Sequence, residues 1–126
     1  MSRQKEAVMS DEVLLILQGI GPHVRFWTRT NGVFRTMSGA VVKVGIPGAA
    51  DLHGFVQSQP AMPVEVELKW GKNGLDEAQV KWRDLCIRLG VPWFLCHAKE
   101  ATIESFRAAG RATAQEIQEF IHAARR

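Results

Sequence analysis

Between Pro63 and Cys96 the chain passes from a strand-like run into a helix marked at both ends, and out again into a second strand. No other part of the sequence constrains the fold as tightly. Asp76 stands as the helix N-cap with Gln79 three residues on, a capping-box pattern, and Leu75 and Val80 are spaced for a hydrophobic staple. Ala78, Trp82, Leu85 and Leu89 recur at helical spacing and predict a buried stripe, and Gly90 ends the helix. On one side PVEVELK alternates apolar and charged residues as a strand does; on the other VPWFLC is a short continuous apolar strand.

The flanking segments extend this pattern. Residues 5 to 18, KEAVMSDEVLLILQ, place Val8 or Met9, Val13, Leu14 and Leu17 at helix spacing before Gly19, Gly21 and Pro22 stop the helix. HVRFWTRT and VFRTM are rich in strand formers and flank Asn31-Gly32, the strongest short hairpin signal. Gly45, Pro47 and Gly48 make a sharp loop before Asp51, Leu52 to Val56 reads as a strand, and QSQPAM turns the chain into PVEVELK. Two further helices are predicted around 100 to 109 and 113 to 124, separated by Gly110. The order helix, three or four strands, helix, strand, helix describes one α/β domain with a mixed sheet over residues 1–126.

With 46% hydrophobic and 23% charged residues, the chain is neither a disordered tail nor a membrane protein. Its apolar runs fall far short of the ~20 residues that span a bilayer. The stretch MSRQKEAVMSDE lacks the apolar core of a signal peptide, so a soluble cytoplasmic protein is expected. Cys86 and Cys96 are too few for a disulfide framework and lack zinc-site spacing, which leaves them as reduced packing residues. A net charge of +3 and a pI near 9.2 fit an anionic partner.

The chemistry concentrates in PVEVELK. Val64, Val66 and Leu68 point to one side of a strand, and Glu65, Glu67 and Lys69 to the other. Neighbours on a face lie roughly 6.5–7 Å apart, close enough for Glu67 and Lys69 to act on one bound ion or phosphate. A half-solvated strand with self-compensating charges gives the same pattern. Asp51, 16 residues before Glu67, opens the preceding strand, and pairing through the intervening turn brings the two acids together. One Asp and one Glu can hold a hard cation such as Mg²⁺.

Asp51 followed by Glu67-Leu68-Lys69 resembles the D…(D/E)-x-K signature of the PD-(D/E)xK nuclease superfamily. The finer pattern resembles its VRR-NUC branch, the virus-type replication-repair nucleases. The matching pieces are Arg29-Thr30-Asn31-Gly32 after Trp27, then GIPGAADLHGF, VELKWG, and LDEAQVKW with its Gly-terminated helix, from about residue 6 to 96. The loop before the acid departs from the usual G-x-P-D by reading P-G-A-A-D.

The resemblance implies a restriction-endonuclease-like fold, a mixed β-sheet flanked by helices. It implies a Mg²⁺- or Mn²⁺-dependent DNA endonuclease that hydrolyses phosphodiester bonds and is selective for branched DNA such as Holliday junctions. Asp51 and Glu67 become metal ligands with the Leu68 carbonyl as a third, and Lys69 the residue that positions or activates the attacking water. Gln79 comes close to the site by resemblance, while its local chemistry gives it the capping-box role. An acid on the first helix fits Glu6 best, with Glu12 its competitor, and Glu65 is left as a supporting or surface residue. Stand-alone members are phage or bacterial proteins, which places the chain in a bacterial or phage-infected cytoplasm. One site per chain requires a homodimer for symmetric cleavage, with the apolar C-terminal helices and the hairpin as candidate surfaces.

Arg25, Arg29, Arg35, Lys43 and Lys72, with Asn31 and the interleaved Trp27 and Phe34, suit contact with DNA phosphates. His53 and His97 read as packing or surface residues. The competing readings are a basic nucleic-acid-binding module without catalysis, and an assembly protein with no DNA role.

Overall fold

Alternation along the longest strand decides how the layers form. In a computed structural model, which describes residues 3–28, 32–44, 46–57 and 61–124, the elements are α1 (Arg3–Gln18), β1 (Val24–Thr28), β2 (Gly32–Arg35), β3 (Val41–Val44), β4 (Leu52–Val56), β5 (Met62–Trp70), α2 (Glu77–Leu89), β6 (Trp93–Ala98) and α3 (Ile103–Ala124). Val64, Val66 and Leu68 of β5 are buried on the sheet face covered by α1 and α3, with Phe26, Leu52, Cys96 and Phe106 in the same core. Glu65, Glu67 and Lys69 take the opposite face, where α2 lies.

The main sheet runs β1-β4-β5-β6; β4 is antiparallel to both its neighbours, and β6 is parallel to β5. It is the mixed α/β arrangement that the element order implies. Gln18, the last residue of α1, ties that helix to the edge strand β1: its Oε1 accepts from Phe26 N at 3.0 Å and its amide donates to Phe26 O. No helix among the described residues is long and apolar enough to cross a membrane. Both cysteines are buried, and neither is in a disulfide.

Three expectations are corrected. The runs flanking Asn31-Gly32 do not pair with each other: β1 pairs with β4, and β2 pairs with β3 in a separate antiparallel ribbon closed at Thr36–Ala40. Val24 and Phe26 reach the core because β1 pairs with β4, and that burial outweighs a local turn preference.

Gly110 does not divide two helices; α3 runs through it. Phe106, Ala109, Thr113, Ile117 and Ile121 continue one buried stripe across it, and a Cβ at Gly110 would stand 3.0 Å from Ile16 Cδ1 and 3.5 Å from Val13 Cα. At this glycine α3 packs directly on Val13 and Ile16 of α1, and packing exceeds its helix cost of about 1 kcal/mol. The apolar stripe of α3 is therefore spent inside the fold.

The predicted stripe of α2 is only half covered. Ala78, Trp82 and Leu85 are partly buried, Leu89 is 67% exposed, and the one fully buried residue of the helix is Cys86. Apolar packing alone does not explain where α2 sits.

Candidate functional site

Antiparallel register builds the first half of the site. Leu52 faces Val66, so the next step outward sets Asp51 against Glu67. β4 begins only at Leu52, and beyond it the Leu68 N–H is bonded by Asp51 Oδ2 at 2.8 Å instead of a strand carbonyl. The N–H and C=O of one residue in an extended strand point to the same side. The Leu68 carbonyl therefore faces the Asp51 side as well.

Glu65 and Glu67 are each 2% exposed. That corrects the half-solvated strand: the charged face of β5 is roofed by α2. Burying a carboxylate costs several kcal/mol unless it is paired or neutralised. Burial is the main cause that pushes the Glu67 carboxyl up to about 9, with the Asp51 charge and a side-chain hydrogen bond to Asp51 adding to it, and Lys69 working against it. The Glu67 carboxyl thus keeps its proton at neutral pH.

The second half comes from α2. Asp76 Oδ1 accepts from Gln79 N at 2.8 Å, and Gln79 Oε1 accepts from Asp76 N at 3.0 Å, completing the capping box. The same Gln79 side chain donates through Nε2 to Glu67 Oε1 at 2.9 Å. The capping and active-site readings of Gln79 are therefore one device: holding its oxygen at the cap aims its NH₂ at Glu67. Gly48 locks the Asp51 loop to this helix. Its φ is +80°, and a Cβ there would lie 2.2 Å from Ala78 O. The loop that departs from G-x-P-D keeps its glycine where backbone meets backbone.

Asp51, Glu67, Leu68, Lys69 and Gln79 line one cavity of about 290 Å³, and Glu6, Ala7, Ser10, Thr28 and Trp70 complete it. Glu6 is separated from its competitor: Glu12 lies elsewhere on α1, paired with Arg107 Nε at 2.8 Å. Of the basic set, Arg25 is exposed on β1, Arg35 ends β2, and Lys72 is exposed two residues past Trp70; none of these three lines the cavity. Lys43 is placed on β3 by its backbone. Arg29 and Asn31 lie outside the described residues.

One network escaped the sequence reading. Glu65 is neither a surface residue nor idle: its Oε1 accepts from Trp82 Nε1 at 3.1 Å, and its Oε2 bonds His53 Nδ1. His53 in turn meets Trp27 edge to face, with centroids 5.0 Å apart. The signal was available, because the register that opposes Asp51 to Glu67 also opposes His53 to Glu65. Trp82 then follows as the residue one helical turn from Gln79.

The donor set suits a hard divalent cation. Two carboxyls, that of Glu67 kept protonated mainly by burial, face one cavity with a main-chain carbonyl beside them. Among the described residues no group of three or more His, Cys, Asp or Glu gathers to hold a metal by side chains alone. Asp51 and Glu67 would therefore need the Leu68 carbonyl, water or a phosphate oxygen to complete a shell. Comparison of the chain with protein-family models, curated proteins and solved structures found no match.

Proposed function

We infer that this chain is a divalent-metal-dependent DNA endonuclease of the PD-(D/E)xK type, on a restriction-endonuclease-like fold of the VRR-NUC branch. The observation that carries the reading is the buried Glu67 carboxyl beside the half-buried Asp51, lining one cavity with Lys69 and Gln79. A structural acid pair could be replaced by apolar residues at no loss, whereas this one is held at an electrostatic cost in a polar, open pocket.

Asp51 and Glu67, with the Leu68 carbonyl, would hold Mg²⁺ or Mn²⁺. Such an ion lowers the pKa of water and neutralises charge on a scissile phosphate. Leu68 N–H fixes Asp51, and Gln79 fixes one oxygen of Glu67, so neither carboxylate has to be ordered when the ion arrives. Lys69 shares the face of Glu67 and supplies positive charge to orient a water or stabilise the phosphorane-like transition state. Glu6 borders the same cavity from α1 and completes its acidic lining. Arg25, Arg35 and Lys72, with Lys43 and the pair Arg29 and Asn31, supply phosphate contacts that hold DNA without reading sequence.

The substrate we favour is branched DNA such as a Holliday junction, cut by a homodimer in the cytoplasm of a bacterium or a phage-infected cell. Purified protein with Mg²⁺ or Mn²⁺ should nick branched duplexes in preference to linear ones, with Asp51→Ala and Lys69→Ala inactive yet folded. DNA binding that is equally strong in EDTA, with no cleavage of any substrate in either metal, would replace this reading with a non-catalytic basic binding module.

A further inference from the structure

Helix α2 carries the residue that steadies Glu67, yet its apolar side buries little. What fixes it to the sheet is a pair of polar contacts on one strand. Gln79 donates to Glu67 at 2.9 Å and Trp82 donates to Glu65 at 3.1 Å. The two acids are two residues apart on β5, roughly 6.7 Å, and the two donors are three apart on α2, roughly 4.5 Å along the axis. The larger indole makes up the difference. The contacts run in opposite chain directions, so α2 lies antiparallel over β5 with both acceptors beneath it.

Glu65 is built for this task. Both of its oxygens are engaged, one by α2 through Trp82 and the other by β4 through His53. It sits on the same strand face as Glu67, one pleat away, but does not line the cavity that Asp51, Glu67 and Lys69 share. It does line a neighbouring apolar hollow with Trp27, His53, Trp82 and Leu85. We propose that Glu65 is a positioning residue: through the Trp82 indole it sets the height and rotation of α2, and thereby holds the Gln79 amide against Glu67. This deepens, and rests on, the nuclease reading of that site. It also accounts for the third acid of the Glu65, Glu67, Lys69 face, which needs no metal of its own.

The experiment compares Trp82→Phe, which keeps the ring and removes only the N–H, with Glu65→Gln and Glu65→Leu. Gln keeps an oxygen for Trp82 and an amide for His53; Leu keeps neither. Amide hydrogen exchange of residues 77–89 and calorimetric titration of the metal-free protein with Mn²⁺ alone are read on each, with the cleavage kcat and KM beside them. Trp82→Phe and Glu65→Leu should each speed α2 exchange and weaken Mn²⁺ binding by about tenfold, the scale of one intramolecular hydrogen bond. kcat should fall while the KM for DNA holds, and Glu65→Gln should restore all of these to near wild type. Wild-type exchange and Mn²⁺ affinity in Trp82→Phe would overturn the proposal. So would a Glu65→Gln variant as damaged as Glu65→Leu, since its negative charge rather than its hydrogen bonds would then matter. A wild-type protein that neither binds Mn²⁺ nor cuts DNA would refute the nuclease reading instead, and the α2 exchange data would still decide whether Glu65 holds the helix.

Discussion

Replacing Glu67 by Gln tests the electrostatics of the site without any substrate. In the folded chain burial, then Asp51, push the Glu67 carboxyl up from 4.5 to about 9. The folded state therefore keeps a proton that the unfolded state has released, and stability falls as pH rises between those two values. The contribution is fully present below about 4.5 and is lost as pH rises through about 9. One proton corresponds to about 1.4 kcal/mol per pH unit, so the position costs on the order of 3 kcal/mol by pH 7 relative to pH 4.5. Gln at 67 reproduces the protonated carboxyl: an oxygen for Gln79 and a donor for Asp51. It does not titrate. Urea unfolding of wild type and Glu67→Gln in EDTA, from pH 5 to 9, should give curves that diverge steadily, with the variant the more stable at high pH. Adding Mg²⁺ or Mn²⁺ at pH 8 should stabilise wild type and leave the variant where it was. Parallel curves across the whole range would mean that Glu67 ionises normally in the folded chain, which would refute its being held protonated by burial.

Other outcomes follow from the same contacts. Asp51→Asn and Lys69→Met should each lower nicking by at least about a hundredfold, with thermal unfolding little changed, as gel assays beside calorimetry will test. Asp76→Ala removes the cap of α2 and should cost about 1 kcal/mol in denaturant unfolding. Mn²⁺ binding should change little, because the backbone N–H of residue 76, which holds the Gln79 oxygen, is kept. Gly48→Ala forces a Cβ into the Ala78 carbonyl at a positive φ and should destabilise by more than about 2 kcal/mol. Cys96 is fully buried with its thiol pushed up to about 11, mainly by burial, so it should resist a thiol-disulfide reagent at pH 8 until the protein is unfolded.

How much of this was legible in the sequence depended on whether the cause was local. The cap of α2, its αL glycine at Gly90 and the face-to-face alternation of β5 are set by neighbouring residues, and each is present as the spacing implies. The meeting of Asp51 with Glu67 needed only strand alternation and a short connection. What escaped was decided at a distance. Nothing near Glu65 announces that α2 will roof it, so the charged face read as wet. A glycine in a helical pattern looks alike whether it breaks the helix or admits another one, and only Val13 and Ile16, about a hundred residues away, distinguish the two. Asn31-Gly32 carried a strong turn signal, but β1 had a better partner in β4. Gln79 seemed to offer a choice of roles because sequence spacing does not show that an amide can serve two partners at once.

The pairing of α1 with α3 bears on how the chain folds. These helices come from opposite ends of the sequence, are joined by Glu12–Arg107 across 95 positions, and cover one face of the sheet. The segment from β4 to β6 can assemble from contacts of short sequence separation, but the reverse of its sheet is covered only in part, by α1, until α3 arrives. During synthesis β4 and β5 thus emerge with their apolar side only partly covered, and the docking of α3 onto α1 across that long separation is the step expected to limit folding. A chaperone bound to the nascent chain would find its target there, on Val64, Val66 and Leu68, directly behind the acids of the site.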